Sequence, residues 1–213
     1  MRSEGGKEDG HAAYVRAEWE KFHRDGTPLQ KHAAAVIAAP RAVLDVGCGA
    51  GQELIPYLDG LAVGIDVRRS GLCMGRALFG ARAPLLMVAS AEHLPFATGS
   101  FDVVLCRVAL PYMDVRRALA EMARVLAPGG ALVLQPHHLR YYLREAGTGP
   151  LLQRIHALRV IARGVLFQLT GWQTGEVFQL VGDLRRRLDR LSVTVVRVDE
   201  SDRGAPIVVA RRR

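Results

Sequence analysis

RAVLDVGCGAGQE, residues 41–53, decides how this chain folds. Val43, Leu44 and Val46 make a short apolar run, and Gly47, Gly49 and Gly51 follow at every second position. A parallel strand buried on both faces reads as such a run, and here it stops at a glycine turn. Glycine reaches backbone angles closed to other residues and lets a ligand approach the main chain. Gln52 to Leu58 then reads as a short helix whose N-terminus faces the turn. Its free N–H groups and positive dipole end can receive an anionic group.

The spacing separates two ligand classes. Dinucleotide turns follow G-x-G-x-x-G. Here Asp45 to Gly51 runs D-x-G-x-G-x-G, and Gln52 stands where the third glycine of that pattern belongs. An acid at the head of the turn suits a cationic ligand and repels a pyrophosphate. S-adenosylmethionine is such a ligand, with a positive sulfonium, a positive amino group and no phosphate. On the string VLDVGCGAG the chain resembles the class I S-adenosylmethionine-dependent methyltransferases, in particular the family with the small methyltransferase type 11 domain. RVLAPGGALVL, residues 124–134, and A-E-x-L-P-F at Ala91 to Phe96 are further matches to it.

The order of elements carries the same reading. Leu61 to Asp66, Pro84 to Ala89, Phe101 to Cys106 and Ala131 to Gln135 read as strands two to five, with helices between them. Val193 to Val198 and Pro206 to Ala210 read as a closing hairpin. Seven strands with interleaved helices make a doubly wound α/β fold with a mostly parallel sheet. The resemblance implies the order 3-2-1-4-5-7-6 with strand seven antiparallel. It covers residues 41–135 well and the last two strands loosely. Residues 41–213 are read as the S-adenosylmethionine-binding domain, with a helical cap at 137–191 inserted between strands five and six. Residues 1–40 are read as a disordered polar tail to about residue 10, then helices that include a possible lid. Thr27 is expected to cap the second of these helices, which then runs to about Ala39.

The resemblance implies S-adenosyl-L-methionine as cofactor, held by Asp45, Gly47, Cys48, Gly49 and Gly51 of the turn. Asp66, with Val67, ends the second strand, where a carboxylate can accept hydrogen bonds from both ribose hydroxyls. Capping of the next helix is the competing role for Asp66. Replacing it is expected to cost cofactor affinity and to leave the stability of the free chain unchanged. Ser90 stands where the family usually has an Asp facing the adenine amino group, and Ala91 packs near the ring. Cys106 and Arg107 end the fourth strand, at the edge where ligands bind in open α/β sheets.

Methyl transfer displaces a sulfonium from an already activated carbon, so the protein mainly aligns the acceptor and excludes water. A base is needed only for a hydroxyl, thiol or acidic C–H acceptor. His137 and His138, just after strand five, are the base candidates. Tyr14, Trp19, Tyr112 and Arg140 are candidate acceptor contacts. Ala109-Leu110-Pro111-Tyr112 lacks the Asp or Asn and the first Pro of [DNS]-P-P-[YFW], which disfavours N-methylation of adenine or glutamine. The acceptor is read as a small molecule. A regulatory protein that binds the cofactor without turnover and an RNA methyltransferase are the alternatives.

Composition sets outer limits. Of 29 Lys and Arg residues only Lys7, Lys21 and Lys31 are lysines, so the net charge of +8 is carried by arginine. Nine arginines and four acids fall in residues 137–191, so an acidic acceptor or an anionic surface is one reading of the cap and a solvated face is the other. No aromatic platform or zinc knuckle for RNA is evident, so no nucleic-acid partner is expected. Cys48, Cys73 and Cys106 form no C-x-x-C or Cys/His cluster, which fits a reducing, cytoplasmic setting with no metal. MRSEGGKEDG has no apolar core of a signal peptide. Residues 155–169 are too short and too often interrupted by charge to span a bilayer.

Overall fold

The computed structural model describes residues 5–26, 28–201 and 205–213, with side chains from residue 13 onward except at 28. Thr27 lies outside these, and with it the proposed cap. The seven strands are β1 (Ala42–Val46), β2 (Leu61–Asp66), β3 (Leu85–Val88), β4 (Phe101–Arg107), β5 (Leu126–Gln135), β6 (Val193–Asp199) and β7 (Ile207–Arg212). They form one sheet in the order β3-β2-β1-β4-β5-β7-β6. The first five pair in parallel, and β7 runs antiparallel to both β5 and β6. The topology expected from the sequence is the one observed.

Period-two alternation sorts the sheet into two cores. Leu44, Val46, Val104 and Cys106 face one side, where they meet α4 (Val115–Val125) and α7 (Val181–Arg190). Val43, Val103, Leu105 and Val133 face the other, against α2 (Pro28–Ala34) and α3 (Arg69–Phe79). Asp114 caps α4 by accepting from the backbone N–H groups of Arg116 and Arg117.

Three expectations need correction. Helix α1 spans Gly5–Asp25, so residues 5–10 are helical rather than disordered. Buried Val15, Trp19 and Phe22 dock it on the domain. Helix α2 ends at Ala34, well short of Ala39. The stretch 137–191 is also not one cap. Leu184 and Leu188 of α7 sit in the core beneath the sheet, so α7 is one of the sheet's own covering helices. The rest is α5 (Leu139–Thr148), α6 (Leu151–Thr170) and the link to α7, packed on each other through Tyr142, Ala157, Val160 and Phe178 and joined to the sheet core by Phe167 and Val177. Gly164 makes that packing possible, because a Cβ there would stand 2.3 Å from the Phe178 ring.

Candidate active site

The C-terminal ends of β1, β2 and β4 open onto a cavity of about 780 Å³, the size of a small-ligand site. Its floor is the glycine turn. Gly47, Gly49 and Gly51 have φ of 75°, 57° and 83°, a region that favours glycine. A Cβ at Gly47 would stand 2.3 Å from the Ala109 Cβ, whereas one at Gly49 would meet nothing within 4 Å. The turn is therefore closed against the protein at Gly47 and open to a ligand at Gly49.

This turn is not built to hold phosphate. The N–H groups of Gly47 and Cys48 donate to the Ile65 carbonyl, that of Gly49 to Asp66 Oδ2, and that of Gly51 to the Cys48 carbonyl. The following helix is a six-residue 3-10 turn, Gln52–Tyr57, with Pro56 inside it. The expected anion-receiving helix end is thus absent, since its short dipole faces a wall of acids. Glu18, Asp45, Glu53, Asp66 and Glu92 line the cavity against Arg68 and Arg107.

Asp45 is the deepest of these acids. It pairs across β1 with Gly64 of β2 and Leu105 of β4, at the centre of the sheet. It is 1% exposed, and its Oδ2 has no hydrogen-bond partner. Burial, then the nearby Glu53 carboxylate, hold its carboxyl well above the usual carboxylate range. A cation with N–H donors would satisfy both the orphaned oxygen and the excess of acid. The ammonium group of S-adenosylmethionine has that chemistry, so the residues present fit this cofactor.

Arg107 lines the cavity and also holds the N-terminal helix. Its Nη2 bonds Glu18 Oε2 of α1 at 2.5 Å, and its Nε lies 3.0 Å from Glu53 Oε1. Its guanidinium also stacks on Phe22 of α1 at 4.6 Å. The arginine clamps the N-terminal helix onto the mouth of the cavity. Neither Glu18 nor Glu53 was singled out in the sequence, because nothing local marks two acids far apart in the chain as partners of one arginine.

Asp66 lines the cavity and also serves the backbone, accepting from Gly49 N–H at 3.0 Å and from Arg68 N–H at 2.8 Å. A carboxylate has about four acceptor positions, so two remain for ribose hydroxyls. Asp66→Ala should weaken S-adenosylhomocysteine binding at least about tenfold, each charge-assisted bond being worth roughly 1.5–3 kcal/mol. It should also destabilise the free chain by about 1–2 kcal/mol, because Gly49 N–H loses its acceptor. This replaces the sequence expectation of unchanged stability with a testable loss. Calorimetry beside a thermal melt checks both effects, and unchanged affinity would leave Asp66 a backbone brace alone.

Ser90 does not line the cavity. Its hydroxyl bonds the Glu92 carboxylate, which also accepts from Asp114 N–H at 2.9 Å. Glu92 lines the cavity beside Ala89 and Ala91. Ser90 thus holds the Glu92 carboxylate at the cavity without lining it. Val67 lines the wall with Asp66, whereas Gly51 and Cys106 do not reach it. Cys106 is fully buried, and burial pushes its thiol up.

The cavity also has an aromatic lining. Tyr14, Tyr112, His137 and Tyr141 line it with Ala109 and Met113. Val108, between them, has φ 59°, a strained value for a β-branched residue and one found at functional turns. The His137 ring stacks on Tyr141 with centroids 4.1 Å apart. Its Nδ1 lies 3.4 Å from the Tyr142 hydroxyl, which donates to Glu176 Oε1 at 2.7 Å. Burial and the Glu176 carboxylate push the Tyr142 phenol up, so it keeps its proton. That single proton goes to Glu176, so the phenol oxygen can only accept from His137 Nδ1–H. In the tautomer protonated at Nδ1, His137 Nε2 is the acceptor.

The two adjacent histidines therefore part company. His138 Nδ1 accepts from Arg140 N–H at 3.3 Å and caps α5. Burial and the Arg140 charge lower its pKa. His138 and Arg140 border a separate small cavity of about 60 Å³ with Val181, Glu200 and Pro206. Neither lines the main cavity. Trp19 is also outside it, 8% exposed and packed edge-on against Phe79. No His, Cys, Asp and Glu cluster that could hold a metal occurs among the described residues.

Residues 44–134 match a family described as a methyltransferase domain. O-methyltransferase cnsE of Penicillium expansum is 37% identical over 100 residues, which are 43% of this chain and 36% of that protein. O-methyltransferase resE of Aspergillus sclerotiorum is 38% identical over 105 residues, 46% of this chain and 40% of the relative. The matched part thus spans less than half the length of these relatives. A solved S-adenosylmethionine-dependent methyltransferase from Mesorhizobium loti superposes with a TM-score of 0.66 at 23% identity, covering 88% of this chain and 99% of that one.

Proposed function

We propose, for a chain whose residues 44–134 form an S-adenosylmethionine-dependent methyltransferase domain, that it methylates a hydroxyl group of a small-molecule acceptor. The observation that carries this reading is His137 on the aromatic wall, with its Nδ1 engaged by the Tyr142–Glu176 pair. A hydroxyl must lose its proton as it attacks, and a neutral imidazole can take it at Nε2. S-adenosylmethionine, when bound, supplies an electrophilic methyl carbon on a thioether leaving group. The O-methyltransferase relatives support the choice of acceptor atom.

The remaining residues divide the work. Asp45 and Asp66 hold the cofactor's ammonium and ribose, and Glu92 with Ala91 borders its base. Tyr14 and Tyr112 flank an acceptor ring, and Met113 adds apolar wall. Arg107 keeps α1 over the opening, which excludes water. The acid-rich lining gives no support to an acidic acceptor. The chain's basic charge lies instead on the outer faces of its helices. Three unpaired cysteines suit a cytoplasmic setting. Among the described residues no helix is long and apolar enough to cross a membrane.

The test is formation of S-adenosylhomocysteine from S-adenosylmethionine with a panel of phenols and alcohols, run beside amines and RNA. Turnover with hydroxyl acceptors only supports the reading. Cofactor binding without turnover on any acceptor would leave a regulatory binding protein, and turnover confined to amines or RNA would overturn the choice of acceptor.

A further inference from the structure

Helix α6 is apolar on two opposite faces, and only one of them is covered. Ala157, Val160, Gly164 and Phe167 are buried against the rest of the molecule. Half a helical turn away stand Leu151, Ile155, Leu158, Val165 and Leu169, all exposed. Leu158 is 58% exposed and Leu169 80%. Trp172, just past the end of the helix, extends the stripe and is 66% exposed. Twenty residues at 1.5 Å each make a line of about 30 Å. An exposed apolar stripe of that length marks an interaction surface.

The charges around it identify the partner. Helix α6 carries Arg154, Arg159, Arg163 and His156 and not one Asp or Glu. Arg154 borders the stripe on one side, and Arg159 and Arg163 on the other, by helical spacing. The nearest acids are engaged, Glu145 with Arg144 and Glu176 with Tyr142 and His156. A second copy of the chain would bring the same arginines against these, with no acid on the helix to offset them. An anionic bilayer offers both an apolar layer for the leucines and negative charge for the arginines.

We propose that the outer face of α6, with Trp172, docks this protein onto the surface of an anionic lipid bilayer. The helix lies in the interface plane, with the leucines in the headgroup boundary and the arginines on lipid phosphates. It does not span the membrane. The proposal stands on the stripe and its charge, and not on the identity of the methyl acceptor.

The full chain is mixed with vesicles of two parts phosphatidylcholine to one part phosphatidylglycerol, and with phosphatidylcholine alone. Binding is read by co-sedimentation and by tryptophan emission. The chain has two tryptophans, and Trp19 is already buried, so a blue shift reports Trp172. Binding is expected to the anionic vesicles only. The triple change Arg154→Gln, Arg159→Gln and Arg163→Gln should weaken it by roughly a hundredfold, given the usual contribution of a basic residue near an anionic surface. Leu158→Asp with Leu169→Asp should abolish it. Both positions are exposed, and an unchanged thermal melt confirms that the variant folds. Trp172→Phe should lose the blue shift and keep the sedimentation. No binding of the parent chain to anionic vesicles overturns the proposal. So does binding that survives the double Asp variant. A concentration-dependent dimer that the same variant dissolves, without vesicle binding, would assign the stripe to a second copy instead.

Discussion

His137→Gln should lower turnover of a phenol or alcohol acceptor by about a hundredfold or more, the usual contribution of a positioned base. Its effect on S-adenosylhomocysteine affinity should stay within about threefold, because His137 is not one of the residues proposed to hold the cofactor. A loss of packing could imitate this result, so the acceptor is varied. A phenol whose hydroxyl is already ionised at the assay pH needs no base. With that acceptor the deficit should shrink below about tenfold. His138→Gln should leave turnover within about twofold, since His138 caps α5 and does not reach the cavity. Equal deficits with ionised and un-ionised phenols would make His137 a wall residue and not a base.

Arg107→Met should be the most destabilising single change at the site. The arginine stands between Glu18 and Glu53, and Asp45 is a further buried acid close by. Removing one partner of a buried ion pair costs about 3–5 kcal/mol, because the other charge is left without compensation. For a chain of this length that is a fall of roughly 6–20 °C in melting temperature. The lost stacking on Phe22 should also loosen α1, which would show as early proteolysis in residues 13–25. Glu18→Gln in the Arg107→Met background should recover part of the loss, since it removes one of the stranded charges. A single variant that melts within about 1 °C of the parent would show that the cluster is not a structural clamp.

What the sequence made legible was what repeats along the chain. The run Val43, Leu44, Val46 and its turn placed β1, apolar runs placed the other strands, and the family resemblance supplied their order. The sign of the ligand charge was legible too, because Asp45 heads the turn. What escaped was what only folding brings together. Glu18, Glu53 and Arg107 lie on α1, on the 3-10 turn and on β4, and no spacing rule joins them. His137 and His138 are indistinguishable as neighbours in sequence. A helix begins at Leu139, and that places one imidazole on the cavity wall and the other on the helix cap. The cap read over 137–191 took in α7, whose Leu184 and Leu188 pack beneath the sheet, because chain order does not state what a helix packs against. The same limit hid the outer face of α6, where Leu158 and Val165 stand in the open.

The central claim is a cofactor site built for a cation and not for phosphate. Calorimetric titration of the full chain with S-adenosylhomocysteine, NAD and ATP tests it most directly, run in two buffers of different ionisation enthalpy. Burial favours the protonated form of Asp45 in the free chain, and above the usual carboxylate range that preference opposes folding as pH rises. An ammonium ligand favours the carboxylate form. Binding should therefore release a proton, and affinity should rise with pH from the usual carboxylate range toward the raised value of Asp45. The account predicts saturable S-adenosylhomocysteine binding with proton release, loss of that release in Asp45→Asn, and no binding of NAD or ATP. Binding of NAD or ATP, with none of S-adenosylhomocysteine, would contradict it.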